Sequence, residues 1–474
     1  MKTFVHALVV ALLVIGSVGH GQTPRLPELG DASGGLLTPS EELELGRSLL
    51  REIRRVMPLV EDPEIRFYIE ALGSRLVSHA PDAAGTFHFL TIDNPEVNAF
   101  AMPGGIVGVH TGLIRATRDE AELAAVIAHE IAHITQRHIA RMYARGRDIN
   151  FATGLAILAG ILAASIDPQL AQAAIAGGVA FGVQSQLDYT RANEAEADRV
   201  GIQILSSTRF DPHAMADFFE RMQELSRGAH DAVPEYLRTH PVTLGRISDA
   251  RSRAEQIPGE FTRDDTGLFP WMQARIRALD DPRRSLANFN ASDTPGALLL
   301  YEAVVAYLEQ GQTDAAAAAL GRIPAGQAPT LTLALAEVAL LRHQHRFDEA
   351  LALLTDLDEI YPGHPVIGHI RAMTYHEADD PLEAVRIIDR LLRQQATPEP
   401  ALLRLKADAA DTAGRLAISR EAMAEYFFHR GQHTEAVRQF DDALAARDAT
   451  SRDVERIEHK RDTARQVAKD AEQR

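Results

Sequence analysis

The chain has 474 residues, too many for one compact core, so two or more domains are expected. Its hydrophobic share of 46% and charged share of 24% are those of an ordinary globular protein. With 49 basic against 66 acidic residues the net charge is −17, which argues against nucleic-acid binding and against a polybasic hold on anionic lipid.

The N-terminus reads as an export signal. Met1-Lys2 is followed by an unbroken apolar run from Ala7 to Val18, then by small residues at Ser17, Gly19 and Gly21. That run is short for a membrane span and suits a signal peptide over residues 1–21, hence a periplasmic protein. No cysteine is present, so no disulfide can form.

Thr38-Pro39-Ser40-Glu41 starts a helix, with a capping Thr, Pro at the first helical position and Glu three residues after the cap. That helix runs to about Met57, and a second is expected from Pro63 to His79. Thr86 to Ile92 is aromatic and β-branched, hence a strand. Asn98–Met102 and Ile106–His110 read as two more, turning at Pro103-Gly104-Gly105. A long helix follows, capped by Asp119, with Leu123, Val126, Ile127, Ile131 and Ile134 on its apolar side.

Residues 150–187 are almost uncharged and Ala/Gly-rich. They read as a buried helical hairpin, or as a surface for peripheral membrane contact. A shift to Pro, Gly, Asp and Arg around Trp271 reads as a linker over 256–295. Beyond it the segments are helical and Ala/Leu-rich. Alanines recur at 315, 350, 384 and 417, spacings close to the 34-residue period of tetratricopeptide repeats. Residues 296–474 are therefore expected to stack helix pairs into a solenoid whose concave face holds protein.

The chemistry is concentrated in the first half. His129 and His133 of His129-Glu130-Ile131-Ala132-His133 stand four apart, so both imidazoles share one helix face and can address one metal ion. Glu130 beside them can take a proton from water at that ion, and imidazole with carboxylate suits zinc. Gln136 and Ile139 stand where a metzincin needs Gly and His, so that class is excluded. His138 is expected at the surface. A second helix holds Glu194 and Asp198 one turn apart: Glu194 can ligate while Asp198 accepts the outer ring N–H of a ligand histidine. Glu196 projects away from both.

These motifs, with Asn98-Ala99-Phe100-Ala101-Met102-Pro103-Gly104-Gly105 before them, resemble the Ste-type gluzincin peptidases. The resemblance implies an α+β zinc metallopeptidase domain over residues 38–255, mainly helical with a small sheet, ahead of the α-solenoid. It implies one Zn2+ on His129, His133 and Glu194, with Glu130 as general base. It implies that His240 and Arg246 lie over the metal and stabilise charge on the reacting carbonyl. His240 in the fourth metal position would instead leave the enzyme latent. The strand at Ile106, Val107, Gly108 and Val109 is expected to be the edge on which a substrate strand lies, with Gly108 allowing close approach. The implied targets are outer-membrane β-barrel proteins and their assembly machinery. The alternative is a repeat-based chaperone or adaptor with a regulated peptidase.

Overall fold

The computed structural model describes residues 38–145, 183–228 and 234–472. The expected signal peptide and residues 150–182 of the apolar stretch lie outside the described residues. No described helix is long and apolar enough to cross a membrane.

Helix α1 (Pro39–Val56) opens on the expected capping box: the Thr38 side chain accepts from Glu41 N–H, and the Glu41 carboxylate accepts from Thr38 N–H. Helix α2 (Pro63–Ser78) is capped by Asp62, which accepts from the Glu64 and Ile65 N–H groups. Three strands follow, β1 (His88–Ile92), β2 (Ala99–Met102) and β3 (Ile106–His110), in the order β1-β3-β2. β3 runs parallel to β1 and antiparallel to β2. The β2–β3 turn needs Gly104 and Gly105 at φ 80° and 79°, a region other residues rarely adopt. Gly104 also lies against Gly46 of α1, where an added Cβ would come within 2.5 Å of its Cα.

This topology corrects the expectation for Ile106–Val109. β3 is the central strand, paired on both sides and buried along its whole length, so no substrate strand can add to it. Gly108 sits opposite Phe100, and a Cβ there would fall 2.3 Å from that ring; the glycine makes room for Phe100 rather than for a ligand. Among the described residues the two edges of the sheet are β2 and β1, the latter bridged at Ile92 by Leu59.

Helix α3 (Thr111–Ala116) leads to α4 (Glu120–Thr135), capped by Asp119 and buried from Glu120 to Ala132. A helix buried on all sides belongs at the centre of a domain. Short α5 (His138–Arg145) follows it, and α6 (Val183–Ser207) packs along it. Gly201 of α6 lets the two helices close up, since a Cβ there would stand 3.3 Å from His129 N. Helices α7 (Ala214–Gly228), α8 (Glu235–Thr239) and α9 (Leu244–Glu255) complete this region.

The stretch expected as a linker, 256–295, folds into helices α10 (Phe269–Asp280) and α11 (Pro282–Asn290). Phe269, Trp271, Met272, Ala274, Ile276 and Ala278 enter one continuous core running from α2 to the first repeat helices. Arg275 pairs with Asp62 at 2.7 Å and Glu64 at 2.9 Å, and Gln273 donates to the Ile114 and Thr117 carbonyls at 2.8 Å. Two of the prolines that suggested a linker, Pro270 and Pro282, stand in the first turns of these helices, where Pro is well tolerated.

Beyond them lie α12 (Ala297–Glu309), α13 (Thr313–Leu320), α14 (Thr330–His343), α15 (Phe347–Ile360), α16 (Pro365–Glu377), α17 (Pro381–Arg393), α18 (Pro400–Thr412), α19 (Leu416–His429), α20 (His433–Leu444) and α21 (Ser451–Glu472). Neighbouring helices pack in sequence, as a solenoid requires. The buried small residue falls at the fourth position of alternate helices, at Ala316, Ala350, Ala384 and Ser419, so the structural register uses 316 and 419 in place of 315 and 417. Two residues before those helices the backbone turns left-handed, at Gly311, His345, Asp379 and Gly414.

Candidate metal centre

Three segments converge on one buried point. α4 brings His129 and His133, and α6 brings Glu194. The end of α8 brings His240. One ring nitrogen or carboxylate oxygen from each of these four residues lies within 4.8 Å of all the others. His129 Nε2 stands 3.0 Å from His133 Nε2, 3.3 Å from Glu194 Oε2 and 3.4 Å from His240 Nδ1. His240 Nδ1 is 3.2 Å from the Glu194 carboxylate, and its Nε2 is 3.5 Å from Glu130 Oε1. The approach of three imidazoles and a carboxylate to one point is a donor set that fits a metal ion.

The outer nitrogens of both α4 histidines are also held. His129 Nδ1 lies 3.0 Å from Asp198 Oδ1, as the one-turn offset from Glu194 leads one to expect. His133 Nδ1 lies 2.9 Å from His138 Nδ1, and His138 Nε2 lies 3.1 Å from Glu196 Oε2, which also pairs with Arg141. His138 was expected at the surface and is 3% exposed. The helix breaks at Gln136, Arg137 takes a left-handed φ of 52°, and α5 restarts at His138, which carries that ring back to His133. His138 and Glu196 are thus site residues that the spacing argument passed over.

Arg246, third residue of α9, holds both carboxylates. Its Nε and Nη2 donate to Asp198 at 2.8 Å, and its Nη1 lies 3.0 Å from Glu194 and donates to the Pro241 carbonyl at 2.9 Å. Its guanidinium also stacks over Phe219 at 4.7 Å. Arg246 thus clamps the Glu194 and Asp198 carboxylates together, with few of its own donors left over. His240 rests on the Tyr236 ring at 5.0 Å between centroids, and Tyr236 N–H donates to the Val97 carbonyl just before β2.

Charge follows geometry. Glu130 is fully buried, neither carboxylate oxygen has a hydrogen-bond partner, and burial pushes its carboxyl above the usual range. Burial would also raise Glu194, but His240, His129 and His133 outweigh it and hold that carboxyl well below the usual range. Burial likewise opposes ionisation of Asp198, yet Arg246 and His129 keep it low. Burial holds His133 well below its usual value, favouring the neutral form that a metal ligand would need.

A central helix with an i,i+4 histidine pair, completed by a glutamate from the next long helix, defines a gluzincin-type metallopeptidase domain. Residues 63–254 match Peptidase family M48 and residues 341–409 match a tetratricopeptide repeat, so the chain carries an M48 peptidase domain followed by repeats. Among similar proteins, the beta-barrel assembly-enhancing protease of Escherichia coli K12 is 40% identical over 260 residues, 54% of this chain and 53% of that protein. Its Yersinia pestis counterpart is 39% identical over 258 residues, 53% of each chain. The mitochondrial metalloendopeptidase OMA1 of Schizosaccharomyces pombe is 31% identical over 201 residues, 42% of this chain and 55% of that protein. The chain spans about half the length of the curated relatives it matches.

Proposed function

We propose that this chain is a zinc-dependent endopeptidase of the bacterial periplasm. The observation that carries the reading is the convergence of His129, His133 and Glu194 beside a buried Glu130 whose oxygens accept no hydrogen bond among the described residues. Zinc held by those three residues supplies Lewis acidity at the scissile carbonyl and at water.

Glu130 does the proton work. Its raised carboxyl pKa suits a group that takes a proton from the attacking water and hands it to the leaving amine. Asp198 and the His138–Glu196 pair fix the two imidazole planes, and Arg246 fixes Glu194 and Asp198. β2 is an edge strand, one of the two places in the sheet where an extended substrate segment could add backbone hydrogen bonds. The repeats recruit protein, and the names of the Escherichia coli and Yersinia relatives support β-barrel proteins and their assembly as the setting.

The position of His240 favours a second element, latency. Its Nδ1 lies where a fourth ligand would, so substrate enters only once His240 has moved. In an unfolded-protein cleavage assay the purified chain should cut, Glu130→Gln should not cut while keeping its metal, and His240→Ala should show whether the fourth position is a brake. A chain with a full complement of metal that cuts no protein, with or without His240, would favour the adaptor reading.

A further inference from the structure

The first helix and the last repeats enclose a second site that the peptidase chemistry does not use. A cavity of about 820 Å³ lies between α1, the start of β1 and helices α19 to α21. It shares no residue with the metal cluster. Its walls meet closely: a Cβ on Gly431 would stand 3.1 Å from the Arg51 carbonyl oxygen.

In a chain of net charge −17, this cavity gathers cations. Arg47, Arg51, Arg54 and Arg55 all line it, against Glu44, Glu52 and Asp470. Arg55 is already engaged by Glu52 at 2.8 Å, and Arg51 lies over the Phe428 ring at 5.7 Å. Arg54 is different. It is 7% exposed, and its Nε and Nη1 have no hydrogen-bond partner among the described residues. The carboxylate that acts on it, Glu399, is itself ion-paired with Arg66.

A buried guanidinium with two of its three nitrogens unmet by hydrogen bonds is costly for a fold to carry. Burial pulls Arg54 down to about 10, which is the same cost seen from the titration side. Three histidines on the cavity wall stay neutral for related reasons. Burial and Arg54 hold His88 at about 4 and His429 at about 3, while burial and Arg51 hold His433 at about 4. None of the lining carboxylates hydrogen-bonds Arg54 Nε or Nη1 among the described residues, and the cavity's volume is that of an organic ligand rather than of a bare ion. Leu50 and Phe428 give it an apolar wall.

We propose that this interdomain cavity binds an organic anion, whose carboxylate or phosphate group sits on the Arg54 guanidinium and whose body lies along Leu50 and Phe428. Such a ligand bridges the peptidase domain and the repeats, because α1 and α19 to α21 both line the cavity.

The test is thermal unfolding of the full chain in a phosphate titration at constant ionic strength, with acetate in parallel, for the unsubstituted chain and Arg54→Met. The expected result is a saturable rise in midpoint temperature for the unsubstituted chain that is lost in Arg54→Met. Without phosphate, Arg54→Met should melt no lower than the unsubstituted chain, since it removes a buried charge whose Nε and Nη1 have no hydrogen bond among the described residues. A rise with acetate as well assigns the oxyanion group in general, and a rise with phosphate alone assigns phosphate. An equal rise in both proteins is the ordinary salting effect of phosphate and overturns the proposal. So does no rise in either, or an Arg54→Met chain that melts well below the other, which would mean that Arg54 is paired within the chain. If Arg54→Met does not fold, calorimetric titration of phosphate into the unsubstituted chain decides, and an absence of saturable binding overturns the site.

Discussion

Asp198 Oδ1 lies 3.0 Å from the outer ring nitrogen of His129, while its other carboxylate oxygen accepts from Arg246 at 2.8 Å. The first contact fixes the plane in which His129 presents Nε2 to the metal position. The second ties that plane to α9, the helix just after His240. Asp198→Ala should therefore weaken zinc binding by about 10- to 100-fold, read by competition with a chromophoric chelator. Unchanged affinity would remove Asp198 from the account.

The His133–His138–Glu196 chain predicts the same for a residue outside the sequence motif. His138→Ala should weaken zinc binding by about 10-fold or more, and His138→Gln should restore part of the loss by keeping a polar atom near His133 Nδ1. Equal affinities for all three proteins would reduce His138 to a packing residue.

His345 takes a φ of 57° at a turn where the equivalent residues Gly311 and Gly414 take 68°. Left-handed backbone costs a non-glycine residue about 1–2 kcal/mol, partly offset by the greater chain entropy glycine loses on folding. His345→Gly should stabilise the chain by up to about 1 kcal/mol in denaturant unfolding. A destabilised variant would show that the His345 ring contact with Phe347 outweighs the strain.

His369, 8% exposed in α16, is held by burial at about 4 against an ordinary 6.5. The folded chain then binds fewer protons there than the unfolded chain between those values. Its contribution to stability is complete above pH 6.5 and is lost as pH falls toward 4, at up to about 1.4 kcal/mol per pH unit. His369→Gln should make the acid loss of stability shallower over that window. Identical profiles would show that His369 protonates equally well in the folded chain.

Much of this was legible in local spacing. The i,i+4 pair at His129 and His133, the one-turn offset of Glu194 and Asp198, and the caps at Thr38 and Asp119 are properties of single helices. What escaped was set by tertiary geometry. Nothing local to Ile106–Val109 says that β1 will pair beside it and make it central. Counting five residues from His133 to His138 along an unbroken helix points His138 away, and only the left-handed Arg137 brings it back. Prolines around Trp271 read as punctuation until α10 and α11 supply the partners that bury their apolar faces.

The central claim is that His129, His133 and Glu194 hold one zinc ion. Metal content of the purified chain, measured beside His129→Ala and Glu194→Ala, tests it most directly. One zinc per chain, lost or greatly weakened in both variants, is the predicted result. No zinc in the parent chain, or zinc indifferent to Glu194, would contradict the ligand set and leave the repeats as the functional part of the molecule.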